Sequence, residues 1–528
     1  MNIPGKFLFL TLILFYKTCV FAQSDSPKIL LQGETFDKKI SDGENHDYTL
    51  HLTNGMAVIG KVTQDGIDLK LDVYSPDGKF LEQIDIAKSK KGDNTFDITA
   101  DQTGYYKFVI RSLEKGSKGR YTLTTDQIVS LSQNMERISR KELPTSTLFN
   151  LWKSTLTDSS AIDTFLASKS SRHIIEPIPG DSTHMLVTYF CVPTPHTEYV
   201  MLSGGPDFLG LRFQRLPNSN LHFVTQKVPI DARFNYGFNY FILEKAGPNN
   251  EIETRNLEHA YDGILEMPNA PEQPYIIVKE NVKKGTMVEK SIKSETLGEE
   301  RKITIHLPSN YDAEQAHHLL IIFDGESYGG RLDRSPRVPT ATIMDNLLAE
   351  KKIPPTVTVL VWSMGTRNKD MVSEKFGDFI ATELIPKIRT DYSIYPESDK
   401  IVLAGSSRGG FAASFTALRH SDVIGNVLSQ SGSYWITAGK NENHWIYPEY
   451  DGKLISAYKN SELLPVRFYM DVGLYDAGAS MLGMNRQFRD ILELKGYKVD
   501  YHEFKGGHSY VNWRGTLSDG IISLIGTK

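Results

Sequence analysis

Cysteine is almost absent: the 528-residue chain holds two, Cys19 and Cys191. That excludes a disulfide scaffold and a cysteine-rich zinc site. A surplus of positive charge is missing too. Lys and Arg number 59 against 64 Asp and Glu, a net charge of −5, whereas a nucleic-acid binder carries a basic excess. No nucleic-acid partner is expected. No apolar run reaches the roughly 20 residues that cross a bilayer, so no stable membrane span is expected. The histidines, His317-His318 among them, lack the spacing of metal ligands. Neither a metal nor another cofactor is expected. What is present is ordinary: 40% apolar and 23% charged residues, which excludes a disordered chain, collagen and coiled coil. The length predicts about three to five domains.

The apolar stretch Phe7 to Tyr16 follows Lys6 and is too short to span. Val20 and Ala22 then stand at −3 and −1 of a cleavage point. This layout predicts a secretory signal peptide over 1–22. Tyr16-Lys17-Thr18 before Cys19 does not fit a lipoprotein box. Loss of the leader would leave Cys191 as a lone cysteine, read here as a small buried apolar residue. An exported chain without disulfides fits the periplasm or cell surface of a bacterium.

Residues 27–128 read as β. Leu69 to Tyr74 alternates apolar and polar residues, Pro76-Asp77-Gly78 is a turn, and Tyr105 to Ile110 is a further strand. Short strands between turns predict a sandwich. The stretch resembles the pre-peptidase C-terminal type of β-sandwich module; a targeting module and a plain spacer both fit. Residues 129–172 form a helical connector, with Leu148, Leu151, Trp152 and Leu156 at helical spacing. Residues 173–280 return to β and predict a second sandwich. From 285 to 528 strands alternate with helices. Leu319 to Phe323 and Val357 to Trp362 are continuously apolar or β-branched, as in strands buried on both faces. The expected architecture is multidomain: a C-terminal α/β domain with a mainly parallel sheet and flanking helices, preceded by two β-sandwich domains.

The strand Lys400 to Ala404 runs into Gly405-Ser406-Ser407-Arg408-Gly409-Gly410. This is G-x-S-x-G between a strand and a helix, the context that lifts a serine above a sheet edge. A hydroxyl needs a base to attack, and the partners follow in the order Ser, acid, His. His508, in the loop Gly506-Gly507-His508, is the candidate base. His502 lies inside a strand, and His420 closes the helix after the nucleophile. His444 is a further histidine in this stretch. Asp476 follows the strand that ends near Val472 and is the candidate acid; Asp471, inside that strand, is the alternative. An oxyanion hole needs two amides. The N–H of Arg408 and that of Gly325 or Glu326 are the candidates.

At these residues the C-terminal part resembles the enterochelin esterase family of α/β-hydrolases. The resemblance rests on Asp324-Gly325, Asp345-Asn346-Leu347, Arg367, Gly405 to Gly410, Val427 to Trp435, and Gly506-Gly507-His508 with Trp513-Arg514-Gly515. It extends to 173–280, which resembles the family's immunoglobulin-like N-terminal domain, and does not cover 27–172. It implies Ser407 as nucleophile, His508 as base and Asp476 as acid. It further implies substrate contacts from Arg367, Arg408, Tyr328, Trp435, Trp513 and Arg514. Beside the Asp324-Gly325 loop the family's siderophore members usually carry a tryptophan, where Ser327-Tyr328 stands here. The implied substrate is a small-molecule ester, a catecholate siderophore trilactone. Two alternatives remain: a carbohydrate esterase of feruloyl or acetyl-xylan type, and a non-catalytic binder of siderophore or glycan. Arg331, Arg334 and Arg337 follow the oxyanion loop and suit either an anionic substrate or solvent.

Overall fold

The structure is a computed structural model that describes residues 27–86, 90–112, 116–141, 143–194, 197–206, 210–243, 254–333, 335–436 and 452–527. The expected leader 1–22, Arg334 and His444 lie outside the described residues. The chain divides into two compact units. One holds the chain up to Ser159 with Pro217–Ser219; the other holds Ser160–Leu216 and Asn220–Lys528.

The first unit is a two-sheet sandwich. Five strands form one sheet in the order Lys28–Ile29, Asn45–Leu52, Gly104–Ser112, Leu69–Tyr74, Phe80–Asp85. Four form the other: Thr35–Ser41, Lys118–Val129, Ala57–Asp65, Lys91–Thr99. Period-two alternation explains the fold. Tyr106, Phe108 and Ile110 point inward and are buried, with Leu69, Leu71 and Val73 beside them. Two helices follow, Leu131–Lys141 and Ser146–Thr155. The Thr145 hydroxyl caps the second through Leu148 N–H, and its apolar face buries Leu148, Leu151 and Trp152. The third helix of the expected connector, Ala161–Ala167, belongs to the other unit.

The second unit opens with a sandwich of two four-stranded sheets between His173 and Glu266. Cys191 is buried here, and burial pushes its thiol up to about 12. The C-terminal domain carries an eight-stranded sheet. Its strands are β1 (Thr286–Ser294), β2 (Glu299–Leu307), β3 (His318–Ile322), β4 (Thr356–Val361), β5 (Ile401–Ser406), β6 (Asn426–Gln430), β7 (Arg467–Gly473) and β8 (Lys498–Phe504). They lie in the order β1-β2-β4-β3-β5-β6-β7-β8. β2 runs antiparallel to β1 and β4, and the rest are parallel. Helices α1 (Thr340–Ala349), α2 (Arg408–Arg419), α3 (Gly478–Leu494) and α4 (Tyr510–Ile525) connect or close them. β3 to β6 are buried on both faces, between two apolar layers. This is an α/β-hydrolase fold behind two β-rich domains. A parallel sheet of this kind opens its binding crevice at the carboxyl ends of the strands.

Candidate active site

Four non-glycine residues follow the carboxyl ends of β3, β4, β5 and β6 with left-handed backbones: Asp324 (φ 55°), Met364 (φ 52°), Ser407 (φ 58°) and Ser431 (φ 50°). Such conformations are costly, and they concentrate where geometry serves a site. Ser407 sits between β5 and α2 with ψ −122°. The glycines of its motif have unequal reasons. A Cβ on Gly405 would lie 2.5 Å from the Gly409 carbonyl carbon, so β5 and α2 cross too closely for any side chain. A Cβ on Gly409 would meet Asp324 at 3.6 Å, an ordinary contact.

Asp476 follows β7 and is 5% exposed. Its Oδ1 accepts from His508 Nδ1 (2.6 Å) and from the Ala477 amide (2.5 Å). Its Oδ2 accepts from Ser431 Oγ (2.6 Å). Burial alone would raise this carboxyl, but His508, Ser431 and the Ala477 amide together hold it below the usual range. Asp471 lies fully buried inside β7, and among the described residues no hydrogen bond joins it to His508. The Trp513 ring packs edge-on against His508 (4.8 Å, 87°), and its Nε1 donates to Ser431 Oγ (3.2 Å). Ser407 Oγ hydrogen-bonds Ser433 Oγ (3.2 Å). Among the described residues, no hydrogen bond joins Ser407 Oγ to His508.

The loop after β3 is tightly held. Asp324 accepts Arg367 Nε (2.6 Å) and Nη2 (2.8 Å) in a forked pair, and Ser363 Oγ (2.8 Å). The Glu326 carboxylate accepts the Ser363 amide (2.9 Å) and the Met364 amide (3.3 Å). The Gly325 N–H donates to Val361 O (2.8 Å). Of the two donors expected from this loop, that one is already committed to the backbone.

The expected substrate contacts divide. Tyr328 is wholly buried, with its hydroxyl on Gln430 Oε1 (2.8 Å), and so lies beneath the crevice. Trp513 is 3% exposed and braces His508. Arg367 is occupied by Asp324. Arg514 is hydrogen-bonded to Gln273 Oε1 (2.8 Å). Arg408 stacks over Trp435 (5.7 Å), and both remain partly accessible. Arg337 is exposed over Tyr510 (5.4 Å), whereas Arg331 pairs with Asp333 on the surface. His502 pairs with Asp500 on β8, and His420 with Asp378. Ser431 and Ser433 are the residues hydrogen-bonded to Asp476 and Ser407 that were not singled out from the sequence. Their signal was serines at alternate positions just past a buried strand.

The second sandwich supports the histidine loop. The Arg233 amide donates to Lys505 O (3.0 Å), Phe234 packs on Tyr475 (5.5 Å), and Lys505 pairs with Asp231 (2.9 Å).

Residues 294–524 match the family model described as "Putative esterase". The iron(III) enterobactin esterase of Escherichia coli K12 is 27% identical over 275 residues, covering 49% of this chain and 62% of that protein. The chain thus spans about three fifths of that relative. An endo-1,4-beta-xylanase/feruloyl esterase of Xylanibacter ruminicola is 24% identical over 350 residues, 64% of this chain and 44% of the other. The solved enterochelin esterase of Shigella flexneri superposes with a TM-score of 0.55 at 20% identity, over 69% of this chain and 97% of that one. That superposition reports the fold. Residues 294–524 therefore match this esterase family's model, on an α/β-hydrolase fold similar to that of the solved enterochelin esterase.

Proposed function

We propose that the chain is a serine carboxylic ester hydrolase acting on a catecholate siderophore ester. The observation that carries this reading is the 2.6 Å Asp476–His508 hydrogen bond after β7, on the same sheet whose β5 leads into Ser407 on a strained strand-to-helix turn. His508 Nε2 takes the Ser407 proton as Oγ attacks the ester carbonyl. Asp476 keeps the other ring nitrogen protonated and stabilises the imidazolium. The tetrahedral oxyanion meets the amides of Arg408 and Glu326, the Gly325 amide being committed. His508 returns the proton to the departing alcohol, leaving an acyl-Ser407. Water then repeats the sequence and releases the acid. The Ser407–Ser433 hydrogen bond is exchanged for one to His508 when substrate enters, since catalytic hydrogen bonds tighten in the complex.

Arg408 and Arg337 support an anionic catecholate substrate, and the Escherichia coli relative acts in the same direction by its name. A sugar ester is the second reading. It is favoured by the Xylanibacter relative and by the engagement of Arg367 with Asp324. Purified protein offered enterobactin and feruloyl sugar esters, with products read by mass, separates the two. Ser407→Ala should lower turnover by ~10⁴ or more. Unchanged turnover would sink the nucleophile assignment, and unchanged biological activity would favour a binder. We also propose export, with the leader cut after Ala22. N-terminal sequencing of fractionated protein tests it.

A further inference from the structure

The outer face of the first sandwich is recessed. A groove of about 770 Å³ runs across the three strands Asn45–Leu52, Gly104–Ser112 and Leu69–Tyr74. Alternation fixes its contents. Tyr106, Phe108 and Ile110 face the core, so Tyr105, Lys107, Val109 and Arg111 face outward. The register sets Asp47, Val109 and Asp72 in one row, and Lys107 beside Tyr74 in the next. Val109 and Asp72 are 7% and 3% exposed, which makes them the floor. The turn Ser75–Lys79 forms an end wall. It is closed by its own backbone bonds and lies so near Gly104 that a Cβ there would stand 2.7 Å from Pro76.

Two features define the ligand. The first is aromatic. Tyr105 is 59% exposed, although Tyr is a residue with a large surface to hide, and His51 holds its ring edge-on (5.1 Å). Tyr74, its diagonal neighbour, is braced by Phe80 (5.6 Å). The second is charge balance. Lys107 pairs with Asp47 (2.7 Å) and Arg111 with Asp72 (2.5 Å). Asp72 is held again by Gln83 Nε2 (2.8 Å). Each cation of the groove is matched by a carboxylate of the groove, so it attracts neither an anion nor a cation. It offers ring faces for C–H surfaces and fixed planar polar groups for hydroxyls. A neutral sugar chain presents both.

We propose that this groove binds an uncharged oligosaccharide, separately from the esterase crevice. The test is affinity electrophoresis of the full chain in gels containing soluble neutral polysaccharides (arabinoxylan, mixed-linkage β-glucan, galactomannan), with heparin as the anionic comparison. Retardation by a neutral polymer is expected. It should weaken at least about tenfold in Tyr105→Ala and persist in Tyr105→Phe, which keeps the ring. Hydrolysis of p-nitrophenyl acetate should be equal in all three proteins, since Tyr105 is remote in sequence and element from Ser407. Tyr105 is a surface side chain, and equal melting temperatures will show that the variants fold. No retardation by any neutral polymer overturns the proposal. So does retardation by heparin alone, or neutral retardation that Tyr105→Ala leaves intact.

Discussion

At the scale of single residues, the site depends on how a few polar atoms are held. Ser431 links Asp476 Oδ2 to the Trp513 indole, and Trp513 in turn braces His508. The hydroxyl touches no reacting atom; it positions the carboxylate. Ser431→Ala should lower kcat by ~10–100-fold, through loosened geometry, with KM little changed. Steady-state kinetics on any accepted ester checks this, and an equal fall in kcat/KM through KM alone would refute it. Asp471 gives a pH prediction. It is fully buried near the end of β7, and burial pushes its carboxyl up to about 7 from 3.8. Between those values the folded state keeps a proton that the unfolded chain has lost. Its stabilising contribution is therefore complete below about 3.8 and declines as pH rises, reaching its lowest level above about 7. Asp471→Asn keeps the shape without the charge. Its melting temperature should exceed that of the wild type most at pH 8, and the gain should vanish toward pH 4. Ser407, His508 and Asp476 were legible as residue types at loop positions after strands. The part played by Ser431 was not, because hydrogen bonding across 45 residues of sequence leaves no local pattern.

At the scale of elements, the strand ends do the positioning. Each of β3, β4, β5 and β6 is followed by a left-handed residue, which turns the chain sharply into the crevice. The β3 loop is fixed by the Arg367–Asp324 fork rather than by its own backbone alone. An arginine in this neighbourhood reads from sequence as a contact for an anion. Packing decides otherwise, because a carboxylate 4% exposed requires a partner. Arg367→Ala should destabilise the protein by about 2–3 kcal/mol, less than a fully buried pair because the arginine is about a third exposed. It should also lower kcat by releasing the Glu326 amide from its place. Arg367→Lys keeps the charge without the fork and should fall between. Denaturant unfolding and kinetics test both, and unaltered stability in Arg367→Ala would contradict the positioning role. The strands and helices of this domain were readable because buried parallel strands are apolar runs and the helices between them are periodic. The pairing order was not, since sheet neighbours such as β2 and β4, or β3 and β5, are set by packing rather than by chain order.

At the scale of the whole molecule, the chain contains separate cores. The first sandwich buries its own cluster around Tyr48, Leu71, Phe96 and Phe108, and the C-terminal domain has apolar layers on both sheet faces. Independent cores unfold independently. Calorimetry should show at least two transitions, and acylation of Ser407 by a serine-directed reagent should move only one. A single transition, or a shift of every transition, would contradict the division into units. The second sandwich belongs with the C-terminal domain, where Arg233, Phe234 and Asp231 hold Tyr475 and Lys505, on either side of β8, the latter just before the histidine loop. The amino-acid sequence by itself determined the alternation of β-rich and α/β segments, the burial of Cys191 and the strand–Ser407–helix turn. These follow from local periodicity and from glycine at a crossing that excludes a side chain. Only the tertiary structure decided which arginines are already engaged, that Tyr328 and Trp513 support the site from below, and that a charge-balanced groove opens on the first sandwich. Those facts depend on which distant side chains meet at low exposure, where an unpartnered charge or hydroxyl is too costly to leave.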